Sequence, residues 1–283
     1  MSLALRPVPM CPTSQTLEEV ADFVGVTDLS RYADWTAWLT TQAEGDDDVH
    51  CVWVGGSAAT GGYDEWSDLD LDVLCTPGTS TAVYLRWLAQ AREDFVVRQF
   101  WAVPEHVWPD GRQCFLGLQD RPGLLLEPTR IIDLHVSDLS DRHSHLDVRR
   151  HGRPIVLHDP DLIIVLEEED VSASLAAAVD QARQRRAIDE WLVNRAIARG
   201  QVAEAVDFYL RFALGTLVQL LRVQHCPWRH DFRVRYLRED LPAEVADRIE
   251  ALVPGASSAT LEELSMRCYA WIDELLVGAP AST

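Results

Sequence analysis

Asp68, Asp70 and Asp72 stand two residues apart in the stretch SDLDLDV, a little downstream of a Gly55-Gly56-Ser57 corner. On a β-strand, residues i and i+2 point the same way, about 6–7 Å apart. Three like charges in a row repel, so the arrangement costs stability unless a cation sits among them. The first two carboxylates are spaced to bracket a pair of divalent ions roughly 3.5–4 Å apart. Hard oxygen ligands of this kind suit Mg²⁺, which commonly completes its shell with water and substrate phosphates. The glycines of the corner permit positive φ and let a bulky anion approach the backbone, and Ser57 adds a hydroxyl donor. A third carboxylate would complete such a site or take a proton from an attacking hydroxyl. Asp133, alone among Ile131, Ile132 and Leu134 in TRIIDLHV, is the candidate. An unpaired buried charge is expensive, so this acid needs either a metal or a partner such as Arg130 or His135.

The elements that must hold these residues are legible around them. HCVWVGG, 50–56, is a short β-rich run ending in glycines, and 68–74 alternates acid with Leu69, Leu71 and Val73, the period of a half-buried strand. Residues 15–44 read as helical, with a start at Thr16 and with Tyr32, Trp35 and Leu39 at helical spacing; 79–92 reads as a second helix. Further strands are expected at 95–103, 113–118, 130–136 and 154–158, which gives a sheet of about five. The segment between the corner and the acids, with Gly61 and Gly62, reads as a loop. From 171 onward strand signals fade. Helices are expected at 172–199, at 201–225 and near 241–253 and 259–276, with DPDLIIVLEEED, 159–170, joining the halves. The expected fold class is α+β, a mixed-sheet domain over residues 1–160 followed by an α-helical bundle over 161–283.

Gly56-Ser57, Gly61 and Ser67-Asp68-Leu69-Asp70 match the pattern G-S-x-x-x-G-x-x-x-x-x-S-D-[LIV]-D of the nucleotidyltransferase superfamily, the polymerase-β-like fold. The resemblance spans residues 50–136. The helical second half resembles, in architecture alone, the C-terminal domain of the antibiotic nucleotidyltransferases that modify aminoglycosides or lincosamides. The resemblance implies that ATP or another nucleoside triphosphate binds at Gly56, Ser57 and Ser67. It implies that Asp68, Asp70 and Asp133 hold Mg²⁺, two ions in all, with Asp133 also the base for a substrate hydroxyl. It implies transfer of a nucleoside monophosphate to a small hydroxylated, cationic acceptor of the antibiotic type. Family members often place a lysine of the helical domain on the triphosphate. Here all 25 basic residues are arginine, so an arginine must serve; the cluster Arg229, His230, Arg233, Arg235 and Arg238 is one source, and a solvated loop balancing nearby acids is the alternative.

Composition narrows the field. A formal net charge of −20 argues against non-specific nucleic-acid binding and against anionic membrane surfaces. No apolar run approaches a membrane span, and the start MSLALRPVPMCP lacks the apolar segment of a secretory signal, so a cytoplasmic protein is expected. The six cysteines form no C-x-x-C pair and read as buried thiols of a reducing compartment. Asp72 reads as a substrate-facing or supporting acid, His135 as a hydrogen-bonded strand histidine, Trp66 as packing or a base-stacking surface. Two alternatives keep the motif and change the outcome: nucleotidylation of a protein acceptor, or a non-catalytic member that only binds nucleotide.

Overall fold

A computed structural model describes residues 27–118, 130–255 and 259–278. The helix start at Thr16, the N-terminal segment and Cys11 lie outside the described residues. The chain divides into two compact units, the first ending at Glu168 and the second carrying Glu169 onward.

The first unit is built on a six-stranded mixed sheet. Its strands are β1 (Val49–Val54), β2 (Leu69–Cys75), β3 (Gln99–Ala102), β4 (Gly111–Gly117), β5 (Ile131–Asp138) and a sixth, β7 (Ile155–His158). Their order in space is β3-β4-β5-β2-β1-β7. β2 and β5 run parallel at the centre and every other pairing is antiparallel. The intervening β6 (His145–Asp147) pairs with β8 (Val165–Glu167) in a separate parallel ribbon, so the stretch expected only to join the halves is partly strand and belongs to the first unit.

Alternation decides what each face of the sheet does. Leu69, Leu71 and Val73 of β2 and Ile132, Leu134 and Val136 of β5 turn one way and are buried. Helices α1 (Ala33–Glu44) and α3 (Ser80–Asp94) cover that face with Trp35, Leu39, Val83 and Trp87. Trp35 stacks on Phe95 at 4.4 Å between ring centroids. Truncating one such core residue to alanine costs about 2–5 kcal/mol, which is why the hydrophobic half of each strand fixes where the polar half must point. Asp138 at the end of β5 accepts from the Ser80 N–H at 3.1 Å, which ties the start of α3 to the sheet. The acidic run 46–48 also has a structural use. Asp46 takes Arg86 in a two-point contact and the Trp87 indole N–H at 2.9 Å, and its carboxyl is held below its ordinary range by those hydrogen bonds against the opposing effect of burial.

The second unit is helical: α4 (Ser172–Ala198), α5 (Val202–Phe208), α6 (Gly215–His225), α7 (Ala243–Glu250) and α8 (Leu261–Gly278). Between α5 and α6, residues Tyr209–Leu214 are wound as a π-helix, so the expected helix over 201–225 contains a wide turn in its middle. Its core gathers Val193, Tyr209, Leu217, Leu221, Ile249, Cys268 and Ile272. Cys51, Cys75, Cys114, Cys226 and Cys268 are free and buried. Burial pushes the thiols of Cys75, Cys226 and Cys268 up to about 12, as inert core residues require. Among the described residues no helix is long and apolar enough to cross a membrane.

Candidate functional site

The face of the sheet opposite the main core carries the acids. Because β2 and β5 are parallel and in register, Asp70 lies directly beside Asp133, and Asp72 beside His135. Four polar side chains thus form a two-by-two block on adjacent strands. Asp68, one residue before β2, extends the row and is half-buried, as are Asp70, Asp72 and Asp133. Asp68 and Asp72 both act electrostatically on Asp133.

The corner closes on this block. The Gly55 N–H donates to the Asp70 carbonyl at 2.9 Å, which draws the end of β1 against β2. Gly56 follows with φ of +55°, and a Cβ there would overlap the Asp70 carboxylate. Glycine is required on both counts. The residues expected to form a loop after the corner wind instead into a one-turn helix, α2 (Gly56–Thr60), that ends at Gly61 with φ of +79°. Ser57 sits at its start, and its Oγ is buried with no hydrogen-bond partner among the described residues. Ser67 is engaged within its own loop: its Oγ donates to Asp64 Oδ1 and accepts from the Asp64 N–H, both at 3.0 Å. Tyr32 spans the ends of both central strands. Its hydroxyl contacts the carbonyls of Ser67 and Ile131 at 3.3 and 3.2 Å and accepts from the Ile131 N–H at 3.2 Å.

Asp133 is the most perturbed acid of the group. Burial raises its pKa to about 6, and the charges of Asp68 and Asp72 push in the same direction. Opposing them, Gln113 Nε2 of β4 donates to Asp133 Oδ1 at 2.7 Å. The orientation of that amide is fixed from behind, because the Trp108 indole N–H donates to Gln113 Oε1 at 2.8 Å. An indole can only donate, so the amide must present its NH₂ to the carboxylate. Neither partner considered for Asp133 hydrogen-bonds to it: Arg130 pairs with Asp34 at 2.5 Å and His135 Nδ1 with Asp72 Oδ1 at 3.1 Å. His135 Nε2 is buried and without a hydrogen-bond partner among the described residues, beside the Trp108 ring at 4.7 Å. Trp66 stands half in solvent next to the acids.

Among the described residues no three Asp, Glu, His or Cys side chains converge into a metal-binding cluster as they stand. Asp68, Asp70 and Asp133 share a face without closing on one point. The donor chemistry nevertheless fits Mg²⁺, being carboxylate oxygen throughout, with a hydroxyl unpartnered at Ser57 and a glycine packed where any side chain would occupy the space at Asp70.

Sequence reading missed Gln113, Trp108 and Arg153. Gln113 lies opposite His135 in β4 and so on the acidic face, a placement that depends on β4 pairing with β5. Arg153 approaches through the fold alone: its N–H donates to the Ala59 carbonyl at 2.9 Å, and Gly152 packs so tightly on Ala59 that a Cβ would overlap its carbonyl. Of the arginine cluster in the second unit, Arg229 is buried on Asp240 and Arg238 pairs with Asp247 and Glu250. Arg233 has no ion-pair partner among the described residues. Compared with known protein families and with curated protein sequences, the chain matches none.

Proposed function

We propose that this protein is a nucleotidyltransferase of the polymerase-β-like superfamily, transferring a nucleoside monophosphate, AMP from ATP, to a hydroxyl of a small cationic acceptor of the antibiotic type. The observation that carries the reading is the parallel register that sets Asp70 beside Asp133, with the Gly56 corner packed on Asp70. Asp68, Asp70 and Asp133 would hold Mg²⁺. When bound, the ion would neutralise phosphate charge and favour departure of pyrophosphate.

The chain's own groups supply the rest. Ser57 Oγ and the backbone of the corner bind the phosphates, and Arg153, exposed and tied by its N–H to Ala59 of the corner helix, is the arginine assigned to reach them. The acceptor oxygen forms a bond to the α-phosphorus as the bond from that phosphorus to the β-phosphate bridging oxygen breaks, and pyrophosphate leaves. The hydroxyl proton goes to Asp133. Gln113 holds Oδ1 as an acceptor, so Oδ2 is the atom that receives it. A carboxyl with a pKa near 6 is a stronger base than an ordinary aspartate and is still ionised at neutral pH.

Isothermal titration with a non-hydrolysable ATP analogue, with and without Mg²⁺, tests the reading on the wild type and on Asp70→Asn. Metal-dependent binding that the variant weakens, followed by pyrophosphate release with aminoglycosides or lincosamides, is the expected result. Binding without turnover on any small acceptor would favour a protein acceptor or a non-catalytic nucleotide-binding member. Absence of binding would overturn the reading.

A further inference from the structure

The second unit contains a pocket of about 310 Å³ that the proposed activity does not use. Three arginines, Arg185 of α4, Arg211 of the π-helical turn and Arg233 of the segment after α6, line it together with His230 and Phe212. Arg185 is paired with Asp189 and Arg211 with Asp207, so Arg233 is the guanidinium of the lining with no ion-pair partner among the described residues.

The pocket wall is held in place from inside the fold. Arg222 of α6 is fully buried. Its Nε donates to the Arg233 carbonyl at 2.7 Å, and its other nitrogens reach the carbonyls of Arg229 and Arg235 and pair with Asp240 at 2.6 Å. Asp240 in turn takes Arg229 at 2.8 Å. This clamp fixes the segment that presents His230 and Arg233. Arg233 itself is kept at φ of +56°, a conformation costly for a residue with a side chain and sustained only where the surroundings impose it. The opposite wall is equally specific. The π-helical turn brings Arg211 and Phe212 to the cavity, and such turns are frequent at functional sites. Arg185 is steered by the buried Asp189 at 3.0 Å and lies 5.3 Å from the Phe212 ring. Asp189 is therefore already neutralised; Asp231 is the other acid on the lining. His230 Nδ1 donates to the Pro227 carbonyl at 3.0 Å, which leaves Nε2 for a ligand.

We infer that this pocket binds a small phosphate-bearing ligand, its phosphate held by Arg211, Arg233 and His230 and any planar body lying along Phe212. Guanidinium groups match phosphate oxygens in charge and fork geometry, and the volume lies at the lower end of the range for small-molecule sites. The inference stands independently of the sheet site.

The test is titration calorimetry on the full chain in EDTA with two probes, inorganic pyrophosphate and AMP. Arg233→Gly removes the guanidinium and relieves the left-handed strain, so its thermal midpoint should equal or exceed that of the wild type. Arg211→Gln is a second, surface change. Binding with a Kd of roughly 10⁻⁴ M that falls about tenfold or more in both variants, and persists in Asp70→Asn, supports the site. Tighter binding of AMP would identify a nucleotide as the source of the phosphate, and of pyrophosphate alone a free polyphosphate. Failure of both probes to bind, arginine variants that bind as the wild type does, or loss of binding in Asp70→Asn would each overturn the inference.

Discussion

The acidic sheet face of the first unit and the arginine pocket of the second both concentrate charge of one sign, but they do so by different means. On the sheet, register alone sets Asp70 beside Asp133 and Asp72 beside His135, and Gln113 and His135 each hydrogen-bond one acid of the block. In the pocket, Arg185 and Arg211 each arrive with a carboxylate of their own, Asp189 and Asp207, and the strained Arg233 is pinned by Arg222. On the proposed reading, the sheet site would gain by binding cations. The pocket is nearly self-compensated and pre-shaped.

The largest effect should come from breaking the clamp. Arg222→Leu leaves Asp240 short of one partner in the interior and strips three carbonyls of their donor, at a cost of about 3–5 kcal/mol. Denaturant unfolding should show it, and a loss under 1 kcal/mol would deny the pocket its scaffold. On the sheet, Asp70→Asn should lower turnover on the order of a hundredfold or more while leaving the thermal midpoint equal or higher, because one repelling charge is gone. A variant that folds less well yet keeps its activity would contradict the contrast just drawn.

A third test uses pH. The folded Asp133 carboxyl titrates near 6 against an ordinary value of 3.8. Between those values the folded state binds more proton than the unfolded state, so this group's stabilising contribution is lost as pH rises through that window. Relative to Asp133→Asn, the wild type should lose up to about 3 kcal/mol between pH 3.5 and 7 in EDTA. Mg²⁺ at pH 7 should restore the wild type and leave the variant unmoved; an unchanged difference across the pH range would show that Asp133 is not raised. The smallest effect is expected at Arg153→Ala, about 1 kcal/mol in affinity for the ATP analogue by calorimetry, with no change in stability.

What the sequence revealed follows from how strongly each feature is patterned. Alternation over 68–74 and the apolar run around Asp133 marked two strands whose edges fall within a residue or two of those observed. The helices of the second half were marked by period and by Gly200 and Pro227. The one-turn helix at Gly56–Thr60 was hidden because glycines at both ends mimic a loop. The β6–β8 ribbon is too short, three residues a strand, for alternation to register. The π-helical turn has no marker in composition, since it is a local choice of hydrogen-bond partner within an apolar helical stretch. Asp133 and Asp70 could be nominated as site residues. Their adjacency could not, because it depends on which strands pair, and Gln113 entered only once β4 was known to flank β5.

The central β2–β5 pair has a consequence for how the molecule comes into being. Leu69 pairs with Ile132 and Cys75 with Asp138, across an intervening helix and two other strands. Contacts between such distant parts of a chain close late, after the local elements have formed. During synthesis the glycine-serine corner and Asp68, Asp70 and Asp72 leave the ribosome well before Asp133 exists. The acidic block of the candidate site is therefore complete only when this long-range pairing of β5 with β2 has closed.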